Sequence, residues 1–199
     1  MDASTRAPVP VGYMAKRTER PSDDQMGAVE EVCSVSCCIS TAPPDAVQHW
    51  QHNRLGFYAD ETLALGVIPD TEDHAGYDLY AYAMLPLAVA ASGEMRELDH
   101  AEREALTQAS GAVQPLPPDY QCLGWDVVGN SLGWVASQSF ECSPLTCNGM
   151  ARLIPTNRYG LIEDKARALA AAPAIARGPA EPGDYYVLQV WRKRRAGGG

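Results

Sequence analysis

From residue 77 to residue 89 the chain alternates, with Leu79, Ala81, Ala83, Leu85 and Leu87 on one parity and Tyr80, Tyr82, Met84 and Pro86 on the other. A period of two is that of a β-strand, whose side chains point to opposite faces in turn. The chain is therefore expected to build a sheet. Pro86 has no N–H to offer a ladder, which places this strand at an edge or a bulge. Further strands are expected over residues 9–14, 57–58, 122–128, 159–162 and 185–191. Ser22 and Gln25 read as a capping box opening a helix over 23–32, and Pro44 with Asp45 opens one over 44–50. Asp60 begins another through Leu65. Residues 99–110, rich in Glu and Ala, form a helix that Gly111 stops, and two more cover 144–153 and 164–172. Residues 32–40 read as a buried strand or loop, 69–76 as an acidic turn, and Pro115, Pro117 and Pro118 as a rigid linker. The order lacks regular βαβ alternation and shows no internal repeat. This points to the α+β class, a largely antiparallel sheet flanked by short helices.

A chain of 199 residues suits one domain. Its expected extent is residues 1–191, loose over about the first eight, with 192–199 as a basic, glycine-ended tail. The 46% hydrophobic and 21% charged content is that of a folding chain. With 16 basic and 25 acidic residues the net charge is -9, which repels nucleic-acid phosphates and anionic lipid. Setting aside Arg192, Lys193, Arg194 and Arg195 leaves 12 basic against 25 acidic residues, or -13. The body is thus strongly acidic, and the four cations read as a solvated tail. The early residues Asp2, Arg6, Pro8, Pro10, Lys16 and Arg17 interrupt any secretory-type apolar segment. The longest apolar run, residues 81–91, falls well short of the roughly 18 residues that span a bilayer. A cytoplasmic location with six reduced thiols is expected.

Several motifs suggest chemistry. Gly129, Asn130, Ser131, Leu132 and Gly133 match the G-x-S-x-G serine turn of α/β-hydrolases. That turn needs a histidine later in the chain, yet His49, His52, His74 and His100 all precede Ser131. A glycine-rich hairpin loop is the simpler reading. With Ser143 as N-cap and Pro144 as first helical residue, Cys142 and Cys147 take the two staple positions, close together beside a helix N-terminus. A thiolate there is favoured by the helix amides; inert apolar packing is the alternative. His49 and His52, three apart, could supply a base or join Cys33, Cys37 and Cys38 around zinc, although no C-x-x-C pair is present. Asp70, Glu72, Asp73 and His74 lack the spacing of a calcium loop. Gly197, Gly198 and Gly199 look only briefly like a ubiquitin-like conjugation end. No P-loop or dinucleotide fingerprint occurs, so no cofactor is expected.

Taken together, Gly12-Tyr13-Met14-Ala15-Lys16-Arg17, Ser34-Val35-Ser36-Cys37-Cys38-Ile39-Ser40, His49-Trp50-Gln51-His52-Asn53, Leu123-Gly124-Trp125-Asp126-Val127-Val128 and Glu141-Cys142-Ser143-Pro144-Leu145-Thr146-Cys147-Asn148 resemble blocks of uncharacterised bacterial proteins of similar length. The resemblance implies a bacterial cytosolic source and brings no activity with it. The expected function is that of a small binding or regulatory protein acting through contact between its acidic surface and an unknown partner protein. A thiol-dependent enzyme using Cys142 or Cys147, with His49 or His52 as base, is the alternative from another class. A zinc-stabilised domain is the third.

Overall fold

The computed structural model describes residues 3–18, 29–35, 53–130, 143–147, 150, 153–178 and 183–194, with only the backbone of 130, 146 and 147. The elements are β1 (Val9–Lys16), α1 (Glu61–Leu65), β2 (Asp78–Met84), β3 (Leu87–Val89), β4 (Met95–Glu97), α2 (His100–Ala112), β5 (Tyr120–Asn130), α3 (Pro144–Cys147), α4 (Lys165–Ala176) and β6 (Asp184–Lys193). They form one α+β domain around a six-stranded sheet whose paired strands run antiparallel. β6 lies in the middle, with β5 along one side and β2 and β3 in succession along the other; β1 then pairs β2, and β4 pairs β3.

The alternating stretch is a strand, but Pro86 does not put it at an edge. It divides β2 from β3, both interior. Leu87 N–H turns back to Leu85 O at 2.8 Å, so the chain bends there without losing a ladder donor. One face of the sheet carries Tyr80, Tyr82, Met84, Leu188 and Val190 under Ala105, Leu106 and Ala109 of α2. On the other face α1 covers Tyr13, Ala15 and Leu79. α4 covers Leu85, Val127 and Val187 with a stripe of Ala168, Leu169, Ala172, Ile175 and Ala176, spaced to face one way on a helix.

An internal repeat is present after all. Asn53-Arg54-Leu55-Gly56-Phe57-Tyr58-Ala59-Asp60 before α1 matches Asn157-Arg158-Tyr159-Gly160-Leu161-Ile162-Glu163-Asp164 before α4. Both asparagines make the same bonds. Asn53 Oδ1 accepts from Leu55 and Phe57 N–H, and its Nδ2 donates to Val11 O at 2.8 Å. Asn157 Oδ1 accepts from Tyr159 and Leu161 N–H, and its Nδ2 donates to Leu123 O at 2.7 Å. Gly56 and Gly160 turn the chain at φ 80 and 70. Asp60 and Asp164 cap the following helices by accepting from Leu63 and Arg167 N–H. Each turn then bridges its edge strand, Tyr58 with Tyr13 and Ile162 with Trp125. The room for this comes from Gly12 and Gly124, at φ 136 and 142, where a Cβ would stand 2.5 Å from Tyr58 O and 2.7 Å from Ile162 O. Both glycines sit at a bulge of the same register, Gly12 opposite Tyr82 and Gly124 opposite Val190. The unit β1-α1-β2 is thus repeated as β5-α4-β6. The order β1-β2-β6-β5 places an approximate two-fold axis between β2 and β6.

Other boundaries shift. Residues 29–32 are an extended strap rather than the end of a helix, with Glu30 and Glu31 N–H bonded to Arg158 O. The capping box at Ser22 and the helix over 44–50 lie outside the described residues. α2 starts at a capping box of Asp99 and Glu102 and runs through Gly111. α3 covers Pro144–Cys147, with 148–149 and 151–152 of the expected helix outside the described residues, and α4 continues past 172 to Ala176, through Pro173. Over 159–162 the expected strand is a turn with a single bridge at Ile162. β6 extends to Lys193, so Arg192 and Lys193 belong to the sheet and not to a tail: Arg192 pairs with Glu31, and Lys193 with Glu61. Before β1, Lys165 Nζ holds Ser4 O and Arg6 O, and Arg6 pairs with Glu97.

Candidate functional site

Two places stand out, one on each face. On the α2 face, Asp126 is fully buried in β5. A carboxylate removed from water must have its lone pairs filled by donors. Ser34 Oγ donates to Oδ2 at 2.6 Å and Val35 N–H at 3.0 Å; Ser143 Oγ donates to Oδ1 at 2.6 Å and Val127 N–H at 2.9 Å. From the opposite side Lys16, 1% exposed, donates from Nζ to Ser34 O at 2.9 Å and Val35 O at 2.7 Å. The Ser34–Val35 dipeptide is therefore held between a cation on its carbonyls and an anion on its hydroxyl and amide. By strand position Asp126 stands where the first repeat has Met14, and Lys16 where the second has Val128, so each half supplies one charge.

Beside this dipeptide the Cys33 thiol is buried, 3.6 Å from the Tyr80 hydroxyl. Burial pushes its pKa up to about 11 against the opposing pull of Tyr80 and Arg192, which keeps it a thiol at neutral pH. Cys33 is thus core, as expected, and not a nucleophile. The Tyr82 hydroxyl is buried with no hydrogen-bond partner among the described residues, and burial first, then Tyr80 and Asp126, raises its pKa well above that of a free tyrosine.

On the other face, β1 and β2 are left partly uncovered beside the two-fold axis. A groove of 40 Å³ opens there. Gly12, Ala81 and Ala83 line its floor, and Trp191, Val113 and Leu116 its walls. Trp191 is half-buried, Leu116 is 38% exposed, and Cys122, opposite Trp191 in the ladder, is exposed. The asymmetry comes from the repeat: Ala81 and Ala83 in β2 correspond to Gln189 and Trp191 in β6, so one half is hollow and the other supplies the wall.

Of the residues singled out in the sequence, Cys142, His49 and His52 lie outside the described residues, as do Cys37, Cys38 and Ser131. Cys147 ends α3 and its side chain is not described. Ser143, read as a cap, is tied to Asp126. Among the described residues no group of three or more His, Cys, Asp or Glu could hold a metal ion, and no helix is long and apolar enough to cross a membrane. Sequence reasoning passed over Lys16 and Asp126. The available signal was a charge inside each of the apolar strands 9–16 and 122–128. Comparison with protein-family models, with curated proteins and with solved structures finds no match to this chain.

Proposed function

We propose that the protein acts by binding a partner protein through the groove over β1 and β2. The observation that carries this reading is a half-buried tryptophan walling a slot floored by glycine and alanine. Aromatic anchors of this kind concentrate binding energy when a partner side chain fills the pocket and excludes water. The occupant is a cationic polypeptide segment with one apolar anchor residue. Charge argues for it: Arg6, Arg17, Arg96, Arg192 and Lys193 are engaged in ion pairs within the chain. Asp70, Glu94, Glu104 and Glu163 are exposed and pair with no described cation, so the acid surplus faces outward. The test is Trp191 fluorescence and calorimetry with short peptides carrying one Leu or Phe among Lys and Arg, against the same peptides with Asp and Glu. Binding of the basic set alone, lost in Trp191→Ala with the fold retained, is expected. Equal binding of both sets, or full binding by the variant, overturns the reading.

A second reading, a thiol-dependent enzyme, is favoured by one observation. Ser34 and Ser143 share a carboxylate, which holds the sequence neighbours of Cys33 and of Cys142 at one residue of β5. Mass mapping of iodoacetamide labelling at neutral pH would test it. A hyper-reactive Cys142 or Cys147 whose rate falls in His49→Ala or His52→Ala is expected of an enzyme, and ordinary rates at both cysteines end this reading.

A further inference from the structure

Asp126 bonds two chain segments more than a hundred residues apart, the strap 29–35 through Oδ2 and Ser143 through Oδ1, so both are fastened to one buried carboxylate. A hydrogen bond to a buried ion is stronger in a dry surrounding than in a wet one. When the strap 29–35 lifts, water reaches Oδ2 and the carboxylate hydrates; the Ser143 bond then lies in a wetter site and weakens. The same holds in reverse when Ser143 leaves. Lys16 reinforces the link, because its bonds to Ser34 O and Val35 O are lost together with the strap. We infer that Asp126 is a shared latch, through which the strap 29–35 and the start of α3 at Ser143 open as one unit and uncover the Cys33 thiol. The strap also covers Tyr80, so its release bares a polar patch on the α2 face that the closed form hides. This device is independent of the groove on the opposite face.

Two reporters in the folded protein test the latch: alkylation of Cys33 by N-ethylmaleimide, followed by peptide mapping, and hydrogen exchange of the peptide carrying Ser143 and Leu145. Ser143→Ala is expected to speed Cys33 labelling about fivefold or more, although the bond it removes is to Asp126. Ser34→Ala is expected to speed exchange at 143–145 by a similar factor. Exchange at Val187 and Leu188 in β6 serves as the control for global loosening and should stay unchanged. Changes confined to each variant's own segment, or remote changes matched by equal acceleration in β6, overturn the latch. The wild-type protein gives a second test that needs no variant. In rising urea below the unfolding transition, both reporters should share one slope and one opening equilibrium, and distinct slopes refute a common opening.

Discussion

Replacing Glu102 by Gln changes one atom at the junction of α2, β4 and β6. Glu102 is 2% exposed and accepts from both Arg96 nitrogens at 2.7 and 2.6 Å, from the Tyr186 hydroxyl at 2.5 Å and from Asp99 N–H at 2.6 Å. All its neighbours are donors, so an amide group in place of either oxygen sets donor against donor. Removing one partner of a buried pair costs about 3–5 kcal/mol. Arg96 is 32% exposed and keeps Asp184, so solvent and the second carboxylate recover part of this, and about 2–3 kcal/mol is expected. The sign of the pH dependence follows from the carboxyl itself. Burial raises its pKa, but the bonds from Arg96, Tyr186 and Asp99 outweigh burial and hold it below the ordinary glutamate value. A depressed folded-state pKa gives stability that is fully present above the unfolded value of about 4.3 and is lost as pH falls through the lower folded value. Urea unfolding followed by circular dichroism should therefore place Glu102→Gln about 1 M or more below the wild type at pH 7. The two proteins should converge only as pH falls through the depressed folded-state value, below which the glutamate is itself neutral. A loss under about 1 kcal/mol at pH 7, or a difference that does not narrow as acid is added, refutes the assignment of Glu102 as a charged junction.

Gly12→Ala and Gly124→Ala each force a Cβ against a bridging carbonyl at positive φ and should cost about 2–4 kcal/mol in denaturant unfolding. Gly111→Ala, inside α2 with open space around it, should instead gain about 0.5 kcal/mol. Tyr82→Phe removes a buried hydroxyl that bonds none of the described residues, so thermal unfolding should show no loss, or a gain of up to about 1 kcal/mol. At pH 8 a thiol reagent should label exposed Cys122 at once and Cys33 only slowly. Because the Cys33 pKa is raised to about 11, its contribution is complete below the free-thiol value and is lost as pH rises towards 11. Cys33→Ala should accordingly flatten the alkaline limb of the stability profile.

Much of the sheet was legible because its strands are locally marked. The alternation at residues 79–87 and the β-branched and aromatic run at 185–191 needed no partner to be recognised, and Asp60 and Asp164 announced their helices. The boundaries that moved are those decided by distant contacts. Residues 29–32 carry helix-compatible side chains, but Arg158 O claims the amides of Glu30 and Glu31, and a carbonyl so distant in sequence is invisible to local propensity. The basic run at 192–193 read as solvated because Glu31 and Glu61, its partners, lie more than a hundred residues away. The repeat was hidden for a metric reason. The matching segments are displaced by 112 residues at Gly12 and Gly124, 104 at Asn53 and Asn157, and 108 at Tyr82 and Val190, so no fixed period runs through the chain. The groove had no linear signature either, since Gly12, Ala83, Leu116 and Trp191 meet only once two ladders are in register.

The central place of β6 bears on how the protein is made. Residues 184–193 leave the ribosome after every strand they join, and until then β2, β3 and β5 each present an unpaired edge. Sequence-distant pairing of this kind slows folding and leaves strand edges exposed to other chains. The first repeat can close its own β1–β2 ladder early, but the second waits on its last strand. A nascent chain stalled before residue 184 should hence depend on holding factors, and release of β6 should bring both halves together in one late, cooperative step.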